Sequence, residues 1–201
     1  IAFVAIAALI DKLLGYINPV LSLEHILGII MFKFTETKIK DVYIIDVKTH
    51  GDHRGYFMET YKKEDFEKAG ITCEFVQDNE SKSSYGVLRG LHFQKKFPQA
   101  KLVRCLDGEV FDVCVDLRKS SPTYGKYVST ILSSSRGNQL FIPRGFAHGF
   151  LVLSETATFA YKCDDIYHPN DEGGLMYNDP DIGIVWPKVT NLLLSEKDKN
   201  H

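Results

Sequence analysis

The chain predicts an all-β domain, either an antiparallel sandwich or a small barrel. Short runs of alternating apolar and polar residues follow one another at roughly ten-residue spacing, divided by turn residues. Asp107-Gly108 joins two such runs and is the strongest hairpin signal in the chain. Only one stretch of the main domain has helical character, and it is short.

The elements can be taken in order from Met31. Residues 32–48 alternate in places around Val42 and Ile44 and suit a strand. His50-Gly51-Asp52-His53-Arg54-Gly55 reads as a turn-rich loop, and Tyr56–Tyr61 as the next strand. Lys62–Ala69 is charged around the apolar anchor Phe66, with Gly70 as a stop, so a short helix is expected there. Ile71–Val76 returns to strand and Ser81–Gly86 to polar loop. Beyond Val87, strands are expected at Lys101–Leu106, Glu109–Leu117, Lys126–Leu132, Gln139–Ile142, Phe146–Leu153 and Thr156–Cys163. An acidic, glycine-containing loop then runs through Gly174.

Composition narrows the class. A 201-residue chain with 44% hydrophobic and 25% charged residues can bury a sizeable core in one domain. The net charge of −2 gives no basic field for nucleic acid. Cys73, Cys105, Cys114 and Cys163 form no CxxC pair and no zinc spacing, which suits reduced thiols in the cytoplasm. Residues 1–30 differ in kind: an apolar run to Ile10, then Asp11-Lys12, then a second apolar run after Asn18-Pro19. The first run is too short to span a bilayer, and a signal peptide is not supported. These residues read as a helical appendage outside the core domain of residues 31–201, with Met31 as the natural start and membrane contact only if the appendage is genuine. They are also loosely similar to a segment of concentrative nucleoside transporters, through Ile1-Ala2-Phe3-Val4-Ala5 and Leu21-Ser22-Leu23-Glu24.

Chemistry concentrates in Val87-Leu88-Arg89-Gly90-Leu91-His92-Phe93-Gln94. In a regular strand Arg89 and His92 face opposite sides. A bulge at Gly90 would bring both to one cavity, as a base beside an anion holder. A core histidine with a surface arginine reads equally well from these residues alone. Metal binding is disfavoured: Gln94 stands where an H-x-H pair would need histidine, no carboxylate lies near His92 along the chain, and Arg54 follows His53. No GxGxxG or GxxxxGK loop is present to cradle phosphate, so arginines such as Arg54, Arg89 and Arg104 are the candidates for a phosphate group. His148, between Pro143-Arg144-Gly145-Phe146-Ala147 and Gly149-Phe150, reads as a buried structural histidine on its own. Tyr161 and Tyr167 are possible weak acids.

Six segments, in order and spacing, closely resemble the dTDP-4-dehydrorhamnose 3,5-epimerase family. They are Asp52-His53-Arg54-Gly55, Phe75-Val76-Gln77-Asp78-Asn79, Val87–Gln94, Lys101-Leu102-Val103-Arg104-Cys105, Gly108-Glu109-Val110-Phe111-Asp112-Val113 and Ile142–Phe150. The resemblance runs from about Phe32 to Asp198. It implies a cupin-type β-jelly roll with one or two short helices, a homodimer, no metal and no cofactor.

The resemblance also implies roles. His92 is the general base, with Asp198 as its carboxylate partner. Tyr161 is the opposing acid, and Lys101 holds the enolate oxygen with His148 beside it. Arg54, Glu59, Gln77, Asn79, Arg89, Tyr167 and Glu172 border the nucleotide or diphosphate. The implied substrate is a dTDP-4-keto-6-deoxyhexose, whose C3 and C5 protons are acidified by the adjacent carbonyl. The implied product is dTDP-4-dehydro-L-rhamnose, in dTDP-rhamnose biosynthesis. Two readings stand beside it: an epimerase acting at C3 or C5 alone, and a non-catalytic sugar-nucleotide-binding cupin. The chain departs from relatives twice, in a Gln94–Lys101 loop one residue shorter than some, which leaves Lys95-Lys96 beside the site, and in an end three residues after Asp198. The second departure puts the docking of Asp198 in question, because terminal residues fray unless tied down.

Overall fold

The computed structural model describes residues 31–200. The appendage expected at residues 1–30 lies outside the described residues. The described residues form thirteen strands, one α-helix and one 3₁₀ turn: β1 (Phe32–Glu36), β2 (Tyr43–Val47), β3 (Thr49–Asp52), β4 (Gly55–Met58), α1 (Lys63–Lys68), β5 (Gln77–Ser84), β6 (Leu88–Gln94), β7 (Lys101–Asp107), β8 (Glu109–Asp116), β9 (Tyr127–Ser133), β10 (Gln139–Ile142), β11 (Phe146–Val152), β12 (Thr156–Cys163), the 3₁₀ turn Pro169–Asp171, and β13 (Glu172–Gly174). A six-stranded sheet has the order β1-β2-β10-β7-β12-β5, and a five-stranded sheet the order β13-β6-β11-β8-β9. Pairing within both sheets is antiparallel. This is the expected jelly roll.

Burial explains why the two sheets close on each other. Val103 and Cys105 of β7, Leu140 and Ile142 of β10, and Phe159 of β12 pack against Val110 and Cys114 of β8, Leu132 of β9, and Phe150 of β11. Alternation supplies the inward residues of each strand, and burial of their apolar surface drives the closure. All four cysteines are free thiols, and three of them are buried. The outer face of the five-stranded sheet is covered by Leu175, Ile182, Ile184 and Trp186, packed near Leu91, Val113, Val115 and Ala147. Helix α1 stops at Gly70, which takes φ +90, and buries Phe66 edge-on against Phe32, Phe34 and Tyr61.

Four expectations change. Residues 32–48, expected as a strand, form two, β1 and β2, paired antiparallel. Ser81–Gly86 is not a loop to its start: β5 runs through Ser84, pairing Gln77–Ser84 with β12 from Cys163 to Thr156. Its residues carry no apolar alternation because the strand borders a polar cavity rather than the core. Ile71–Val76 joins no sheet. Ile71 donates its N–H to Phe66 O at the helix end and packs into the aromatic cluster instead. The His50–Gly55 segment is a hairpin, β3 paired with β4, with every residue of β3 exposed.

Candidate active site

Gly90 does what the octapeptide needed. It takes φ +112, and the ladder to β11 shifts between His148, paired with His92, and Phe150, paired with Arg89. A Cβ at Gly90 would fall 2.6 Å from Gly149 Cα and 2.7 Å from His148 O. Only glycine fits this close approach of two backbones. The irregularity turns both Arg89 and His92 to one cavity of about 460 Å³, lined also by Lys101, His148, Tyr161 and Asp198.

The cavity has two chemically different walls. On the five-stranded sheet, His92 Nε2 lies 2.6 Å from Asp198 Oδ1, and Glu172 Oε1 stands 3.8 Å from His92 Nδ1. Sequence spacing put no carboxylate near His92; the fold brings two. Asp198 is held firmly, 3% exposed. The segment leading to it is zipped to the sheet by Leu193 N–H to Gly86 O and Leu88 N–H to Leu193 O, and Ser195 Oγ accepts the Asp198 N–H at 3.1 Å. Burial pushes the His92 pKa below its ordinary value, and the hydrogen bond and charge of Asp198 pull it back up. Neighbouring His148 meets Asp112, whose carboxylate oxygens lie 2.9 and 3.1 Å from His148 Nε2. Asp112 was missed from the sequence. Its signal was an acid amid Val110, Phe111, Val113, Cys114 and Val115: a fully buried carboxylate needs a partner.

On the six-stranded sheet, Tyr161 of β12 and Lys101 of β7 face the same cavity. The two strands are paired, Cys163 lying opposite Lys101 and Tyr161 opposite Val103. The Lys101 ammonium stands 5.7 Å from the centroid of the Tyr161 ring. Burial pushes the Lys101 pKa down, while the charges of Asp112 and Glu172 oppose that shift. Burial pushes the Tyr161 phenol up, so it is protonated at neutral pH. A proton acceptor therefore stands on one wall and a proton donor and a cation on the other.

The other expected residues distribute around this centre. Arg89 Nε donates to Ser83 Oγ at 3.0 Å. Tyr167 OH donates to Glu172 Oε2 at 2.6 Å, and Glu172 also pairs with Lys197. Gln77 Oε1 accepts the Tyr167 N–H at 2.9 Å, and Gln77 Nε2 donates to Asn79 Oδ1 at 3.0 Å. Asn79 lies opposite Tyr161 in the β5–β12 ladder. Of these residues Arg89 lines the cavity, Asn79 lines a second one beside Tyr161 and Glu172 a small one beside His92 and Lys101; Gln77, Tyr167, Arg54 and Glu59 line none of the three. Arg54 is at the tip of the β3–β4 hairpin, paired with Asp52, and Glu59 follows that hairpin. No cluster of three or more His, Cys, Asp or Glu side chains among the described residues is placed to hold a metal ion.

An antiparallel jelly roll with an imidazole–carboxylate pair across a cavity from a half-buried lysine and tyrosine defines a cupin-type protein equipped for acid–base chemistry. A family profile described as dTDP-4-dehydrorhamnose 3,5-epimerase matches residues 36–201. The chain is 52% identical over 171 residues to the dTDP-4-dehydrorhamnose 3,5-epimerase of Methanothermobacter thermautotrophicus, covering 84% of this chain and 92% of that one. It superposes with a TM-score of 0.82 on the Legionella pneumophila dTDP-6-deoxy-D-glucose-3,5-epimerase solved with dTDP-4-keto-L-rhamnose, at 50% identity over 84% of this chain and 90% of that chain. The crystal structure of the Elizabethkingia anophelis dTDP-4-dehydrorhamnose 3,5-epimerase gives a TM-score of 0.81 at 53% identity, covering 85% and 95%. The chain belongs to the dTDP-4-dehydrorhamnose 3,5-epimerase family.

Proposed function

We propose that this chain epimerises dTDP-4-dehydro-6-deoxy-D-glucose at C3 and C5, giving dTDP-4-dehydro-L-rhamnose for dTDP-rhamnose biosynthesis. The observation that carries this reading is the division of the cavity: His92 with Asp198 on one sheet, Tyr161 with Lys101 on the other. A 4-keto sugar between them loses a proton from C3 or C5 to His92. The electron pair moves onto the C4 oxygen as an enolate, which Lys101 and His148 stabilise. Asp198 stabilises the imidazolium. Tyr161 then delivers a proton to the same carbon from the opposite face, and the configuration inverts. Arg89 serves the diphosphate or sugar, Gln77 and Asn79 contact the nucleotide, and Tyr167 and Glu172 border its site.

Incubation of the keto sugar nucleotide in D₂O, followed by NMR, tests the reading. Deuterium at both C3 and C5 is expected. Label at one carbon would make the chain a single-carbon epimerase, and label at neither would reject catalysis.

The rate should also follow pH in a defined way. His92 acts as base only when neutral, and burial lowers its pKa. The acid limb of kcat/KM is therefore expected below the ordinary histidine value of about 6.5. Asp198→Asn removes the interaction that raises this pKa, so the limb should move further down while the rate falls. A limb that moves up on that substitution would contradict the pairing.

The active form is a homodimer in this reading, working in the cytoplasm. Tyr56 and Phe57 of the hairpin are 63% and 67% exposed, a large apolar surface for a monomer to leave uncovered. The hairpin would carry Arg54 and Glu59 to the partner's cavity. Phe57→Glu is expected to sediment as a monomer and to bind dTDP more weakly; an unchanged dimer with unchanged affinity would refute this. No helix among the described residues is long and apolar enough to cross a membrane.

A further inference from the structure

Gln94 has no part in proton transfer, yet it is 6% exposed and every polar atom of its amide is engaged. Its Nε2 donates to Phe97 O at 2.6 Å and to Ile166 O at 3.4 Å. Its Oε1 accepts the His168 N–H at 2.6 Å. The side chain thus grips the backbone on both sides of Tyr167. A second set of bonds closes the same junction: Asp171 Oδ2 accepts the N–H groups of Lys96 and Phe97 at 2.8 and 2.9 Å, and the Phe97 ring stacks on His168 at 4.2 Å. In the β6–β13 ladder Gln94 lies opposite Glu172, the residue that accepts the Tyr167 hydroxyl.

We propose that Gln94 is a positioning residue for the nucleotide end of the site, fixing residues 166 and 168 so that Tyr167 and Glu172 are presented in one geometry. This rests on the reading of Tyr167 and Glu172 as nucleotide contacts. The residue type follows from the chemistry. The position needs a donor for two carbonyls and an acceptor for one N–H on a single neutral side chain. Glutamate lacks the donors and methionine lacks both functions. Because the amide is buried, losing it leaves three backbone groups to find other partners, and the segment that carries Tyr167 loosens. The imidazole of His92 has its own short bond to Asp198 at 2.6 Å, whereas Glu172 stands 3.8 Å from its other nitrogen, so the chemical step should change less than nucleotide binding.

The test uses the full chain and dTDP as probe. Gln94→Met is expected to weaken dTDP about tenfold, to raise KM alike, and to leave kcat within about twofold. Amide hydrogen exchange at residues 166–168 should accelerate. Gln94→Asn, which keeps a neutral amide of shorter reach, should fall between the parent and the methionine variant and provides the reading if the methionine variant does not fold. In a Tyr167→Ala background, Gln94→Met should weaken dTDP little further, because Gln94 acts through that segment. Unchanged exchange at 166–168, full additivity with Tyr167→Ala, or a loss confined to kcat overturns the proposal. If Tyr167→Ala alone leaves dTDP affinity unchanged while exchange in Gln94→Met rises, the nucleotide role of Tyr167 falls and the hold of Gln94 on its segment stands.

Discussion

His92→Ala is expected to lose deuterium exchange at C3 and at C5 together, by roughly 10²–10⁴-fold in rate, while dTDP affinity stays near that of the parent. One imidazole serves both carbons in this reading, so the two exchange reactions should fall in parallel. Tyr161→Phe should behave differently. It removes the proton donor from the six-stranded wall and leaves the base in place. Exchange from the His92 face then continues, and inversion stops. A His92→Ala enzyme with full exchange would place the base elsewhere. Equal loss of exchange in both variants would show that Tyr161 is needed before the proton leaves carbon. The contrast between the two variants therefore tests the division of roles rather than a general need for an intact cavity.

The sequence made most of the sheet framework legible, because inward residues alternate wherever a strand borders the apolar core. Gln139–Ile142 and Thr156–Cys163 were expected at the bounds the structure shows. The pattern failed at β5, whose half-buried side chains Gln77, Asn79 and Ser81 are all polar: Ser81 lines the site cavity and Asn79 a second one beside Tyr161. A strand that lines a polar site cannot advertise itself by hydrophobic alternation. At the site, the possible bulge at Gly90 was legible from local chemistry. The distant carboxylates were not. Asp198 lies 106 residues from His92, and only the family resemblance pointed to it. Asp112 went unnoticed although its motif was in view, since the demand for a partner becomes visible only once the strand is known to be buried on both faces. Arg54 and Glu59 show the converse limit: the family resemblance pointed to both, but Arg54 sits at the exposed tip of the β3–β4 hairpin and Glu59 just after it, and neither lines the cavity of its own chain.

Lys101→Met is expected to lower kcat by about 10²–10³-fold with a smaller change in dTDP affinity. Among the described residues no carboxylate lies within salt-bridge distance of the Lys101 ammonium, although Asp112 and Glu172 act on it through space. A half-buried cation without a direct counter-ion costs stability, and the enolate oxygen is the anion that would complete it. Because this negative charge develops mainly as the proton leaves carbon, the interaction is stronger in the transition state than with the ketone. The loss should therefore appear in kcat more than in KM. Methionine fills similar space without the charge, so the melting temperature should hold or rise, which separates a catalytic loss from a folding one. Lys101→Arg is not a conservative rescue, since the broad guanidinium does not fit the place of a compact ammonium beside Tyr161. Retained kcat in Lys101→Met, with the fold intact, would move enolate stabilisation to His148 and the buried Asp112 behind it.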